Sequence, residues 1–184
     1  MVAKSNTAYK VTLPSDLEIV MTRVFDAPRE LVFKAHVDPK MIAQWWGLRD
    51  NTTIVDKLDA RPGGAWRFVQ RRADGSEEGF HGELREIVPP ERFTWTFEWE
   101  GMPGHVGLET YAFEEHAGKT TLTATSFFNT LEERDGVIAS GMEAGANESA
   151  DRLEEPLASR KPERRHAKKK PLDVNQGLLV VSGG

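Results

Sequence analysis

Arg92–Glu100 reads Arg-Phe-Thr-Trp-Thr-Phe-Glu-Trp-Glu, and this alternation decides the fold. In a β-strand successive side chains point to opposite faces, so the four aromatic rings would share one face. Such a strand belongs to an antiparallel sheet that is covered on one side and wet on the other. Four rings also need a wide apolar volume opposite them. We therefore expect Trp95 and Phe97 to line a cavity, with Phe93 and Trp99 sealing its ends.

Six further segments have the composition of strands in the same sheet. They are rich in β-branched and aromatic residues and are separated by turns containing glycine, proline or aspartate. These segments are Glu18–Phe25, Thr52–Asp59, Ala65–Arg72, Glu78–Val88, Val106–Glu114 and Thr120–Phe128. Trp66 and Phe68, two residues apart, repeat the aromatic face. The sequence predicts a curved antiparallel sheet of about six to seven strands.

Two short helices are predicted after the first strand. Asp26-Ala27-Pro28 begins one of them, because proline is favoured in the first turn of a helix. Asp38-Pro39 begins the other, which runs to Trp45-Trp46 and stops at Gly47. Adjacent residues on a helix diverge by about 100°. We therefore expect one tryptophan to pack in the core and the other to lie near the mouth of the cavity.

A long C-terminal helix is predicted over Thr130–Ala158. Its first residue is followed three positions later by Glu133, which is a capping-box pattern, and apolar residues then recur at helical spacing. Pro156 is expected at its frayed end. Gly141 and Gly145 either let the helix backbone approach the sheet closely or leave room for a ligand. The fold class is α+β, with the sheet gripping this helix around an apolar cavity.

Several pieces of the chain match one family pattern, in order, from about Leu17 to Ala158. They are Thr22–Ala35, Asp38-Pro39, Trp45–Gly47, Asp59–Gly64, Gly82–Arg92, Thr120–Thr123 and Gly141–Leu153. In these pieces the chain resembles the family of the heat-shock-protein-90 ATPase activator homologue C-terminal domain, within the START-like (SRPBCC, Bet v 1-like) superfamily. The resemblance implies a helix-grip fold with a deep cavity between the sheet and the long helix. No catalytic motif is carried across with the resemblance. The superfamily includes lipid carriers, hormone receptors, cyclases and co-chaperone modules, so the fold does not identify an activity.

Two positions depart from the family pattern. Many members have a large residue such as tryptophan where this chain has Ala146, and the smaller side chain would enlarge the pocket. Relatives have an aliphatic residue where this chain has Glu109, which shares a strand phase with Tyr111 and Phe113. If Phe113 faces inward, so does Glu109, and burial would raise the pKa of its carboxyl group. Glu109 is then a general acid/base or a polar anchor; the alternative is that it lies on a solvated edge strand.

Histidines supply the other candidate chemistry. His81 and Glu83 fall on one face of their strand and His105 lies in a loop nearby, so they could form a polar cluster in which His81 assists Glu109. Their spacing is not typical of a zinc site, and neither a metal nor a cofactor is predicted. His36 and His116 are interpreted as surface residues.

Three functions are compatible with these residues. The first is a protein that binds a small apolar, aromatic or lipid-like ligand in an internal cavity. The second is a cyclase-like or dehydratase-like enzyme that uses Glu109, and the third is a module that regulates a chaperone through its outer surface. An enzyme is the less favoured outcome. The predicted ligand-binding residues are Trp45, Trp46, Trp66, Phe68, His81, Trp95, Phe97, Glu109, Tyr111, Met142 and Ala146.

Composition limits the remaining possibilities. The chain has 184 residues and no cysteine, which suits a single domain in a reducing cytoplasm and excludes disulfides and thiolate sites. We predict an N-terminal extension over 1–16, the helix-grip domain over 17–158 and a basic, disordered tail over 159–184. Residues 160–170 hold seven Lys or Arg and one Glu, so the remaining 17 basic and 28 acidic residues leave an acidic body. Nucleic-acid binding through the tail is a weak alternative, since no aromatic residue interleaves its charges.

Overall fold

The computed structural model describes residues 8–160, which form one eight-stranded antiparallel sheet and four helices. In chain order the elements are β1 (Lys10–Thr12), β2 (Glu18–Phe25), α1 (Arg29–Val37), α2 (Pro39–Trp45), β3 (Thr52–Leu58), β4 (Ala65–Arg71), β5 (Glu77–Val88), β6 (Arg92–Trp99), β7 (Gly107–His116), β8 (Lys119–Phe127), α3 (Leu131–Ala139) and α4 (Met142–Arg160). This is the α+β helix-grip fold that the sequence predicts.

The sheet is a meander closed by one long connection. Its strand order is β1-β2-β8-β7-β6-β5-β4-β3, so every neighbour from β3 to β8 is also a neighbour in sequence. β2 pairs with β8 along its whole length, from Glu18 opposite Phe127 to Phe25 opposite Thr120. α1 and α2 carry the chain from this side of the sheet to the far edge at β3. The seven predicted strands are confirmed to within two residues at each end, and β1 is an eighth that the sequence analysis missed.

One face of the sheet carries the apolar core. Phe25, Phe68, Phe93 and Phe113 come from four different strands and are fully buried, and Leu153 of α4 packs on the same cluster. The alternation seen in Arg92–Glu100 thus points Phe93 and Trp95 inward, as expected. Both rings are buried in the core, however, whereas Phe93 was expected to seal an end of the cavity and Trp95 to line it. Trp99 is different, because it lies 40% exposed at the end of β6 and does not seal a cavity.

The predicted C-terminal helix is divided into two. Ser140 ends α3, and Gly141 has a φ of +83°, a left-handed conformation that stops a helix and that glycine adopts without strain. The capping prediction is confirmed, since the Thr130 side chain accepts a hydrogen bond from the Glu133 backbone N–H at 3.1 Å. Pro156 is not at a frayed end: it lies inside α4, on the buried side of the helix.

Burial along α4 is uneven. Its C-terminal half buries Ala150, Leu153 and Leu157 in the core, whereas its N-terminal half, from Met142 to Ser149, has no fully buried residue. The helix is therefore anchored at one end only by apolar packing. The other end stands over the sheet without filling the space beneath it.

Two buried arginines hold α4 in place. Arg23 of β2 points inward and donates to the carboxylates of Asp151 at 2.7 Å and Glu154 at 2.9 Å. Arg152, on α4 itself, donates to the backbone oxygens of Gly47 at 3.0 Å and Leu48 at 2.9 Å. These carbonyls follow the C-terminus of α2, where a positive charge is favourable. The first arginine ties the helix to the sheet and the second ties it to α2.

The chain limits of the domain stay a prediction. β1 lies inside the predicted extension 1–16 and adds an edge strand to the sheet, while residues 161–184, which hold most of the basic tail, lie outside the described residues. Within residues 8–160, the structure contains no helix that is long and apolar enough to cross a membrane.

We expect Arg23→Ala to lower the free energy of unfolding by about 2–4 kcal/mol, because it leaves two carboxylates without their buried partner. Urea unfolding followed by circular dichroism measures this loss. Arg49→Ala is the matched control, since Arg49 pairs with Glu155 of α4 at the solvent-exposed surface. This substitution should lower the free energy of unfolding by less than about 1 kcal/mol. Equal effects of the two variants would contradict the role given to Arg23.

Candidate functional site

A pocket of about 380 Å³ lies between the sheet and the N-terminal half of α4. Its walls come from strands β2 and β4 to β8 of the sheet, from α1, from the end of α2 and the loop after it, from Tyr9 and from α4. Side chains from these elements converge because the sheet is curved and the helix stands above its concave face. The residues that line the pocket include His36, Trp46, Gln70, Glu109, Tyr111 and Ala146.

Small residues of α4 keep this space open. Gly145, Ala146 and Ser149 line the pocket on the helix side. A side chain at Gly145 would meet only Leu48, at an ordinary contact distance of 3.8 Å, and none would be met at Gly141 within 4 Å. Close approach of the helix backbone to the sheet therefore does not explain these glycines. Gly141 ends α3, and Gly145 leaves room in the pocket.

Aromatic rings form the wall opposite. Trp46 meets Phe80 edge-on with ring centroids 5.3 Å apart, and Phe80 meets Phe97 at 5.7 Å. Trp45 is buried and donates from its indole nitrogen to the Ala35 carbonyl at 2.9 Å, whereas Trp46 is half-buried. The two tryptophans thus differ in burial, although both line the pocket. The position of one of them at the mouth of the cavity stays a prediction.

Glu109 brings a carboxyl group held by hydrogen bonds to this pocket. Its Oε2 accepts from the Trp95 indole N–H at 2.8 Å and from the Tyr111 hydroxyl at 2.9 Å. Removal from water raises the pKa of Glu109, and the donors Trp95, Tyr111 and Ser126 oppose that rise only in part. The inward phase predicted for Glu109 from Phe113 is confirmed, and the solvated alternative is wrong.

His36 is buried, not on the surface as the sequence analysis expected. Its Nδ1 lies 2.8 Å from the Val32 carbonyl oxygen, which can only accept, so Nδ1 carries the proton. Burial lowers the pKa of His36 to about 4, so the ring is neutral at neutral pH. Nε2 is then an acceptor. The ring lies 5.9 Å from that of Tyr111 and lines the pocket.

Gln70 brings a further polar group to the wall. Its Nε2 donates to the Thr53 hydroxyl oxygen at 2.6 Å, because the Thr53 proton is already donated to the Trp46 carbonyl. This fixes the orientation of the amide. Oε1 of Gln70 is left buried and without a hydrogen-bond partner, beside Gly47, where any side chain would overlap it.

The structure brings seven of the eleven predicted ligand-binding residues to the main pocket. They are Trp45, Trp46, Phe97, Glu109, Tyr111, Met142 and Ala146. Three come from β6 and β7, two from the end of α2 and two from α4. Their binding role stays a prediction, but their positions are those the strand and helix phases require.

Three predicted residues lie beneath this pocket. Trp66 is fully buried, stacks on Trp95 with centroids 4.4 Å apart and donates to the Thr96 carbonyl. Phe68 and Trp95 border only a separate void of about 20 Å³. Some aromatic rings on the inward face therefore line the pocket, whereas those in the middle of the sheet pack in the hydrophobic core. Alternation alone does not separate a core position from a pocket wall.

His81 lies on the opposite face of the sheet. Its Nδ1 is 3.1 Å from Glu100, its Nε2 is 3.5 Å from Glu98, and its side chain is 43% exposed. Its neighbour Phe80 takes the inward position, so the prediction that His81 assists Glu109 is wrong. The expected cluster with Glu83 and His105 does not form either, because Glu83 pairs with Arg85 and His105 with Glu133.

Metal ligation finds no support in residues 8–160, where no three His, Asp or Glu side chains come together as a metal site. Among the polar pocket-lining residues that the sequence analysis missed are His36, Gln70 and Tyr9. His36 follows Val32 and Phe33 at helical spacing, which would have marked it as inward-facing. Gln70 lies two residues from Phe68 on the same strand, a period-two signal that its polarity concealed.

The comparisons with known proteins agree on one group. Residues 26–158 match the family model described as activator of Hsp90 ATPase homolog 1-like protein. A crystal structure from Rhodobacter sphaeroides is 24% identical with a TM-score of 0.78, covering 83% of this chain and 99% of the other. A protein of Mycobacterium smegmatis is 25% identical, with a TM-score of 0.73 and coverages of 82% and 97%. A Staphylococcus epidermidis solution structure is 27% identical, with a TM-score of 0.71 and coverages of 85% and 98%. No curated protein is similar enough to this chain to count as a match.

His36 predicts a loss of stability in mild acid. Its folded pKa of about 4 lies below the unfolded value of about 6.5, so the unfolded state takes up the proton first. The contribution of His36 to stability should be complete at a pH above its unfolded pKa. It should fall by on the order of 3 kcal/mol as the pH drops to its folded pKa. Urea unfolding across this range measures the slope. His36→Gln should reduce it and His116→Gln, an exposed site, should not; an unchanged slope in His36→Gln would refute the assignment.

For Glu109 we predict a pH dependence of stability that is opposite in sign to that of His36. A raised folded pKa means that the folded state favours the protonated carboxyl, so this contribution is lost as the pH rises through that pKa. Glu109→Gln should therefore be more stable than the parent at about pH 8, by on the order of 1 kcal/mol, with the gain shrinking in acid. Glu114→Gln, exposed on the same strand, is the control. A variant that is less stable at every pH would show that the carboxylate supports the fold.

Proposed function

This chain belongs to the family of activator of Hsp90 ATPase homolog 1-like proteins, and we propose that it binds a small, largely apolar ligand in the pocket under α4. The observation that carries the proposal is the form of the pocket. It has aromatic side chains on one wall, small side chains on the other and a hydrogen-bonded carboxyl between them. Sites for small molecules have this composition, with mostly apolar walls and a few placed polar groups.

The size of the pocket supports the same proposal. Known ligand sites occupy roughly 300–1,000 Å³, and the volume of about 380 Å³ falls at the lower end. A molecule of one or two rings or a short acyl chain fits this space. A ligand would also cover apolar surface on Met142 and Phe97, and each buried methylene contributes about 0.8 kcal/mol.

An enzyme is the second candidate, and Glu109 is the observation that favours it. A carboxyl whose pKa is raised by burial keeps its proton to a higher pH than a solvated carboxyl and can give it to a bound molecule. Tyr111, whose hydroxyl donates to this carboxyl at 2.9 Å, would position it. Under this reading Glu109→Gln abolishes turnover and leaves binding in place.

Regulation of a chaperone, which the family description names, would use the outer surface of the domain and not this pocket. A change that fills the pocket separates the two functions, because it should leave a surface interaction intact.

Cytoplasmic location remains part of the proposal, on the ground that the chain contains no cysteine.

Ala146→Trp tests the proposal directly. Ala146 lines the pocket, and a tryptophan there should fill much of it and weaken binding of the neutral dye N-phenylnaphthylamine by about tenfold or more. Dye fluorescence titration measures the affinity. Ala144→Trp, on the exposed side of the same helix, should bind as the parent does. If the parent binds no dye, or the Ala146→Trp variant binds equally well while folded by circular dichroism, the pocket is not a binding site.

A further inference from the structure

We propose that the pocket selects organic cations, namely aromatic or short-chain amines protonated at neutral pH. This inference rests on the proposed function and specifies its ligand class. It follows from three features of the pocket wall: its acidic side chains, the free acceptor atoms of His36 and Gln70, and the arrangement of its rings.

Acidic side chains reach the pocket wall, and a bound cation would favour their ionised form. Among the described residues that line the pocket, Glu78 and Glu109 are acidic and none is Lys or Arg. Glu78 is paired with Arg72 at 2.7 Å near the surface. Glu109 makes no ion pair with a cation of residues 8–160, since its hydrogen bonds come from the neutral groups of Trp95 and Tyr111. Burial favours the protonated form of Glu109, and a cation bound beside it would favour the ionised carboxylate instead, so this carboxyl is left for a partner of opposite charge.

The buried cations of the domain are used elsewhere. Arg23 is bonded to Asp151 and Glu154, and Arg152 to the carbonyls that follow α2. Neither lines the pocket. A positive ligand group is therefore the partner that would compensate Glu109 without any rearrangement of the fold.

Two further polar atoms of the wall are acceptors, one on His36 and one on Gln70. Nδ1 of His36 donates to Val32, so Nε2 can only accept. Oε1 of Gln70 is a buried acceptor with no partner, and such an atom costs free energy until a donor reaches it. An ammonium group has up to three donors and no acceptor, which is the complement of this set. A ligand carboxylate would add a further unpaired acceptor.

The rings complete the site. On one side Trp46 meets Phe80 edge-on and Phe80 meets Phe97 at a tilt, and Tyr111 lies on the other side with Glu109. The faces of aromatic rings attract cations, and the attraction is greater when the cation is removed from water. A protonated amine with an apolar body is thus attracted by both the rings and the carboxylate. A neutral alcohol of the same shape has no charge through which either could attract it.

Three matched probes test this inference on the full chain. Naphthylmethylamine, naphthylmethanol and naphthoate, substituted at the same ring carbon, differ in charge and little in size. Isothermal titration at neutral pH should show the amine binding at least about tenfold more tightly than the alcohol, and the naphthoate more weakly than both. Glu109→Gln should reduce the preference for the amine to within about threefold, while Glu114→Gln, on the outer part of β7, should retain it.

The outcomes separate the two proposals. If the alcohol or the naphthoate binds as tightly as the amine, the pocket binds small molecules but does not select cations, and this inference alone is overturned. If Glu109→Gln retains the full preference, the charge selection does not come from Glu109 and the inference is also overturned. If no probe binds, the proposed function is overturned together with it.

Discussion

The position of α4 is the constraint on which the site depends. Two buried arginines set it, Arg23 from the sheet side and Arg152 from the helix itself. Each uses charge-assisted hydrogen bonds, which are stronger and more directional than apolar contact. They fix the C-terminal half of the helix against the core, so the N-terminal half can stand clear of the sheet. The pocket is the space that this one-sided attachment leaves.

A pocket held open in this way gives polar groups a low-dielectric setting. Glu109 and His36 sit among rings, and burial moves the pKa of the carboxyl upward and that of the imidazole to about 4. Both shifts favour the neutral form of the side chain, because desolvation penalises charge. Such groups add little to folding at neutral pH and can weaken it. Their presence among apolar residues is what a binding or catalytic site requires and what a core would avoid.

Some parts of this site are readable from the chain because they repeat with a short period. The phase of Glu109 follows from Phe113 on the same strand, and the separation of Trp45 from Trp46 follows from the turn of a helix. The same reasoning failed for His81, whose strand phase was assigned without an apolar reference, and Phe80 beside it takes the inward place. It failed for the helix break as well. Gly141 was expected either to allow close packing on the sheet or to leave room for a ligand, whereas it ends α3, as glycine commonly does.

The sequence by itself determined the sheet, the order of its elements and the α+β helix-grip class, because alternation and turn residues act between near neighbours. The tertiary structure decided which inward residues are core and which face the pocket. It also decided that Gln70 keeps an unpaired acceptor and that Arg23 reaches Asp151 across 128 positions of the chain. These features depend on how curved strands and a distant helix meet, and no local pattern of residues encodes the distance between them.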